Sequence, residues 1–108
     1  MQVSEVDWRD GQITSWSMDT VDLARGFEAQ VDELTEDLAQ VSYPSGKIID
    51  VGWYPSMSEE GAFVVTVVSN EDWESPISRV RCASAFELLQ AIDDAIIVAS
   101  SAAPLQLG

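Results

Sequence analysis

The chain has 108 residues, enough for one hydrophobic core and too few for two. Nineteen acidic residues stand against five basic ones, with no histidine and a single cysteine, giving a net charge of -14. A charge of that sign repels nucleic acid and anionic membranes. The composition also excludes imidazole-held zinc, Ser-His-Asp and Cys-His catalysis, internal disulfides and thiolate metal clusters.

The apolar fraction of 46% is that of a folded protein, so the charge does not signal disorder. The first residues lack a basic region followed by an apolar core, and no apolar run approaches the roughly 18 residues of a membrane span. A soluble, cytoplasmic protein without a signal peptide is the expectation.

In chain order, residues 3–16 predict a β-hairpin. Val6 and Trp8 precede Asp10-Gly11, a favoured turn pair, and Ile13 and Trp16 follow it. Ser17 or Asp19 can then cap a long amphipathic helix over residues 20–41. Leu23, Phe27, Val31, Leu34, Leu38 and Val41 recur at steps of four and three and would form its apolar stripe. Its other face would carry Asp22, Glu28, Asp32, Glu33, Glu36 and Asp37 against Arg25 alone, an acidic ridge roughly 33 Å long.

Tyr43-Pro44-Ser45-Gly46 turns the chain. Residues 47–54 follow as a strand, with Ile49, Val51 and Trp53 on one face and Ile48, Asp50, Gly52 and Tyr54 on the other. Residues 62–68, Ala-Phe-Val-Val-Thr-Val-Val, read as the central strand, apolar on both faces. Residues 77–82 complete a three-stranded antiparallel meander, in which Cys82 alternates with Val80 as a small core residue. Ser84-Ala-Phe-Glu87 is a capping box that opens a C-terminal helix running to about residue 99, with Phe86 and Ile97 on its polar side.

The expected fold is therefore a single α+β domain over residues 1–100 in the order ββ-α-βββ-α, followed by a loosely ordered tail over residues 101–108. Double-stranded-RNA-binding domains share an α-βββ-α core, but they hold phosphates with basic side chains that this chain lacks.

No Gly-rich phosphate cradle and no nucleophile elbow occurs, so no cofactor is implied. Asp7 and Asp10 beside Gly11 fall short of a calcium loop, and no other spacing argues for a metal site. The adjacent pairs Asp93-Asp94, Glu59-Glu60 and Glu71-Asp72 are the only raw material for acid-base catalysis, and on exposed segments such pairs read as solvated surface. The expectation is a protein that is not an enzyme.

Trp73, flanked by Glu71, Asp72 and Glu74 in the loop after the central strand, suits an interface anchor; otherwise it folds back over the sheet edge. Tyr54 is half of a Trp-Tyr pair pointing to opposite faces. The loops over residues 55–61 and 70–76 lie at opposite ends of the central strand, so they can share a protein footprint but not a small pocket.

In element order and general character the chain resembles the small acidic immunity proteins of bacterial polymorphic and contact-dependent toxin systems. The likeness rests on Trp8-Arg-Asp-Gly11, the acidic segment over residues 20–41, residues 62–68, and Ser84-Ala-Phe-Glu-Leu-Leu before the last helix. It implies a non-enzymatic inhibitor that covers the active site of a basic toxin domain, a nuclease or deaminase, by presenting carboxylates where the toxin expects phosphates. Glu71, Asp72, Trp73 and Glu74 would make the primary contact. Asp32, Glu33 and Glu36 would steer, with Glu59, Glu60 and Tyr54 alongside. The alternative is a self-associating structural or secretion-chaperone-like module, a homodimer whose acidity serves solubility.

Overall fold

The computed structural model describes residues 3–100, so the tail expected over residues 101–108 lies outside the described residues. Five antiparallel strands form one meandering sheet in the order β1 to β5: β1 Gln12–Trp16, β2 Ala39–Ser42, β3 Lys47–Tyr54, β4 Ala62–Ser69 and β5 Ser78–Cys82. One helix, α1 Ala85–Ser100, packs across the inner face against β3, β4 and β5.

Two expectations are corrected, and with them the ββ-α-βββ-α order. The N-terminal hairpin does not form. Val3–Glu5 is a single 3-10 turn, and the strand after Asp10-Gly11 pairs with β2, setting Gln12 opposite Ser42 and Trp16 opposite Ala39, with an irregularity between Ile13 and Ser15. The Asp10-Gly11 turn is present, since the Gly11 N–H donates to the Trp8 carbonyl at 3.1 Å. Only its strand partner is different.

The long helix over residues 20–41 is absent as well. Met18–Thr20 is a 3-10 turn, Gly26 is extended, and Phe27–Glu33 comprises two short 3-10 turns broken at Gln30, after which the chain enters β2.

Sequence chemistry explains the choice. A helix here would align six carboxylates with one arginine and place Gly26 mid-helix at a cost of about 1 kcal/mol. It would also leave one edge of β3 without hydrogen-bond partners. Pairing β2 with β3, Val41 opposite Ile49 and Ala39 opposite Val51, satisfies that edge and creates the strand on which β1 builds. The apolar spacing survives for another reason. Leu23, Leu34 and Leu38 are buried because the irregular chain is laid over the core, and Val41 because it lies on the inner face of β2.

Gln30 fixes that irregular path. It is buried, its Oε1 accepts the Asp22 N–H at 2.8 Å and its Nε2 donates to the Asp22 carbonyl at 2.8 Å. An exposed helical glutamine would make neither bond.

The inner face of the sheet carries Ala39, Val41, Ile49, Val51, Trp53, Phe63, Val65, Val67 and Cys82, which meet Leu88, Ile92, Ala95, Ile96 and Ala99 of α1 in one core. Phe27, Trp53 and Phe63 form an edge-to-face triad with ring centroids 5.0 to 5.6 Å apart. Such ring pairs add about 0.5–1.5 kcal/mol each beyond their area burial. The capping box holds α1 as read from sequence, with the Glu87 N–H donating to Ser84 Oγ at 3.1 Å and Glu87 Oε1 accepting the Ala83 N–H at 2.8 Å. Among the described residues no helix is long and apolar enough to cross a membrane.

Candidate partner-binding surface

Residues 27–37 carry five carboxylates and residues 55–61 carry two, and neither stretch contains a basic residue. The fold joins them. The Met57 N–H donates to the Leu34 carbonyl at 2.7 Å, the Trp53 N–H to the Thr35 carbonyl at 2.8 Å, and the Tyr54 hydroxyl to the Glu36 carbonyl at 3.4 Å. Gly52 makes the approach feasible, because a Cβ there would stand 2.1 Å from the Glu36 carbonyl oxygen.

Glu28, Asp32, Glu33, Glu36, Asp37, Glu59 and Glu60 are thereby gathered at one end of the sheet, all exposed. Met57, a large apolar side chain 57% exposed, and half-buried Tyr54 sit among them. Six residues singled out from sequence, Asp32, Glu33, Glu36, Glu59, Glu60 and Tyr54, thus belong to one surface rather than to a helical ridge and a separate loop. Met57 was missed. Its signal was an apolar side chain inside a Pro-Ser-Met-Ser-Glu-Glu loop.

Glu71, Asp72, Trp73 and Glu74 lie at the other end of β4, about 23 Å away at about 3.3 Å per residue. Asn70 and Glu71 have left-handed backbone, with φ of 56° and 61°, and the Asn70 N–H donates to the Gly46 carbonyl at 2.9 Å. The loop therefore leans on the 43–46 turn, where Gly46 has φ of 89°. Trp73 remains 45% exposed.

Between the two ends lies the outer face of the sheet. One row of side chains crosses all five strands in register: Ser15, Gln40, Asp50, Thr66 and Arg79. Asp50 and Thr66, in the middle, are buried polar residues. Asp50 Oδ1 accepts a long hydrogen bond from Gln40 Nε2 at 3.4 Å. Burial pushes its carboxyl above the ordinary range, the Gln40 bond opposes this, neighbouring Asp37 adds to it, and Arg79 opposes it least. Alternation alone placed Asp50 on this face; its burial was not foreseen, because the groups that cover it come from other strands.

Arg79 is turned aside, its guanidinium carbon 5.5 Å from the centre of the Tyr54 ring. Burial raises the Tyr54 hydroxyl pKa, and Asp50 and Glu36 raise it further.

Two further features lie on the helical side. Phe86, 76% exposed, and Val80 line a shallow cavity of about 230 Å³ beside the free edge of β5. A larger cleft of about 590 Å³ separates α1 from residues 5–9 and is edged by Glu5, Asp7, Arg9, Asp93, Asp94 and Ile97. Among the described residues no three carboxylate or thiol side chains are placed to hold a metal ion. Cys82 is buried, and desolvation followed by nearby Glu87 raises its thiol pKa, the opposite of an activated nucleophile.

Comparison with family models, with curated proteins and with solved structures found no match.

Proposed function

We propose that this protein is a non-enzymatic acidic binding protein whose acidic end docks on a basic protein partner, and that it acts as an immunity-type inhibitor covering the active site of a basic toxin enzyme, a nuclease or deaminase. The observation that carries the reading is the set of seven carboxylates drawn around exposed Met57 and half-buried Tyr54, with Arg79 over the Tyr54 ring and Arg81 on the Glu60 carbonyl as the basic groups at its margin. An apolar anchor within a predominantly negative field is the composition of an interface that steers its partner electrostatically and then desolvates a centre. A standard footprint of about 800 Å² per partner is broad enough to run from Met57 along the outer face to the Trp73 loop.

Self-association through β5 is the second reading, supported by exposed Val80 and Phe86. Two-fold pairing of the whole of β5 with its copy would set Arg79 opposite Arg81 of the other copy, and like charges directly opposite are destabilising. The inhibitor reading is the stronger.

The test is capture from the native host by wild-type protein and by a variant carrying Glu33→Lys, Glu36→Lys and Glu60→Lys. A basic nuclease or deaminase retained by the first, inhibited one to one and lost with the second is the expected result. Retention of the same protein by both would remove the acidic end from the interface. A tight homodimer in light scattering with no captured enzyme would favour self-association.

A further inference from the structure

We propose that the cavity of about 190 Å³ lined by Ser15, Asp37, Ala39, Gln40 and Asp50 is a socket for a primary ammonium group, the tip of a lysine side chain. That the lysine belongs to a docking enzyme rests on the function proposed above; the socket itself does not.

Asp50 is only 7% exposed, yet it has a single hydrogen bond, the long one from Gln40, and its second oxygen has no donor among the described residues. A buried carboxylate is normally paired with a cation or saturated with hydrogen bonds, because desolvation otherwise drives it to the neutral form. Arg79 stands in the same row but spends its guanidinium on the Tyr54 ring. The other charged groups nearby, Asp37 and Glu36, are negative. The cavity's lining is therefore anionic and neutral, and the nearby cation, Arg79, is not part of it and offsets the Asp50 charge least of the groups around it.

The donor count selects the ligand. An ammonium offers three N–H groups, and the socket offers Asp50, Asp37 and the Ser15 hydroxyl or the Gln40 amide oxygen as acceptors. A guanidinium can pair with the same carboxylate, since each oxygen has two lone pairs, so tighter binding of butylguanidinium than of butylammonium would overturn the choice of a lysine tip. A hard divalent cation asks for about six or more oxygen ligands, and the described residues place no three metal-ligating acids together.

The probe is n-butylammonium, titrated into the full-length ¹³C-labelled protein while the Asp50 and Asp37 carboxyl resonances are followed. The expected result is a saturable shift at both carboxyls and a lowered Asp50 pKa, absent with butanol and weakened about tenfold or more in Asp50→Asn. The amide spectrum of Asp50→Asn should superpose on that of the wild type, separating loss of the socket from loss of the fold. An equal response to tetramethylammonium, which has no N–H to donate, would reduce the effect to charge screening, and a tighter response to Mg²⁺ would make the cavity a metal site. Either overturns the proposal. Saturation by butylammonium with no basic enzyme captured would leave the socket standing and remove the inhibitor. Capture undiminished by Asp50→Asn, with no butylammonium bound, would do the reverse.

Discussion

The Tyr43 hydroxyl donates to the Trp8 carbonyl at 2.9 Å, tying the turn before β1 to the end of β2 across 35 residues of sequence. Tyr43 is buried, and its pKa is pushed from 10.0 up to about 12, chiefly by desolvation and then by Asp10. Tyr43→Phe leaves the Trp8 carbonyl with the Gly11 N–H as its remaining donor and should cost about 0.5–1.5 kcal/mol in urea denaturation. The alkaline limb follows from the same group. Because the folded pKa is the higher one, its contribution is whole below pH 10.0 and disappears as the pH rises through about 12. The phenylalanine variant should show a flatter loss of stability over that interval.

Gln30→Ala removes both hydrogen bonds to the Asp22 backbone, whose carbonyl keeps the Arg25 N–H at 3.1 Å. A loss of about 2 kcal/mol or more is expected. Amide exchange at Asp22 should speed up more than exchange in β4. Uniform acceleration across the sheet would deny Gln30 its local role.

Gly52→Ala drives a methyl group onto the Glu36 carbonyl, at 2.1 Å before any relaxation. Overpacking of this kind costs about 1–3 kcal/mol. The displaced segment carries the carboxylates at residues 36 and 37, so partner affinity should fall with stability. A variant with unchanged melting temperature would mean that the 34–37 segment yields freely.

Asp50→Asn should make the protein more stable at neutral pH. The wild-type carboxyl has a raised folded pKa, so its favourable contribution is whole below 3.8 and lost as the pH rises through the folded value. Asparagine has no charge to desolvate. The gain in melting temperature should therefore shrink as the pH is lowered towards 3.8, and a pH-independent gain would assign it to packing instead.

Met57→Ala and Trp73→Ala bracket the proposed footprint. Each should weaken the captured complex by about 1–2 kcal/mol in calorimetry, as truncation of an exposed anchor does. Loss at Met57 alone would confine the interface to the acidic end, and loss at Trp73 alone would move it to the loop after β4.

Strands β3, β4 and β5 and helix α1 were legible in the sequence because their signals are local. Ile49, Val51 and Trp53 alternate with Asp50 and Gly52, and Ser84 and Glu87 cap the helix that follows them. β1 and β2 were not legible. Their pairing joins Gln12 to Ser42, across a stretch whose apolar residues fall at helical steps while its charges and Gly26 oppose a helix. Periodicity named Leu34, Leu38 and Val41 as interior residues but not the backbone that takes them there. Of the candidate surface, the carboxylates and Tyr54 could be named one by one. Their convergence on Met57 depends on the contacts of residues 34–36 with residues 53–57, which no spacing rule encodes.

The polar row also bears on how the sheet finds its alignment. β4 is apolar along nearly its whole length, with β-branched residues on both faces from Val64 to Val68, so valine packing alone discriminates poorly between one alignment and the next. A slip of one residue by β3 would turn Asp50 inward, among Phe63, Val65 and the leucines and isoleucines of α1, where an ionised carboxylate is prohibitively costly. Asp50 opposite Thr66 thus weighs against the one-residue slip that valine packing alone would tolerate. A chain with valine at position 50 would keep its native packing yet lose that discrimination, and its excess of misfolded, edge-pairing species would reveal what the buried carboxylate contributes.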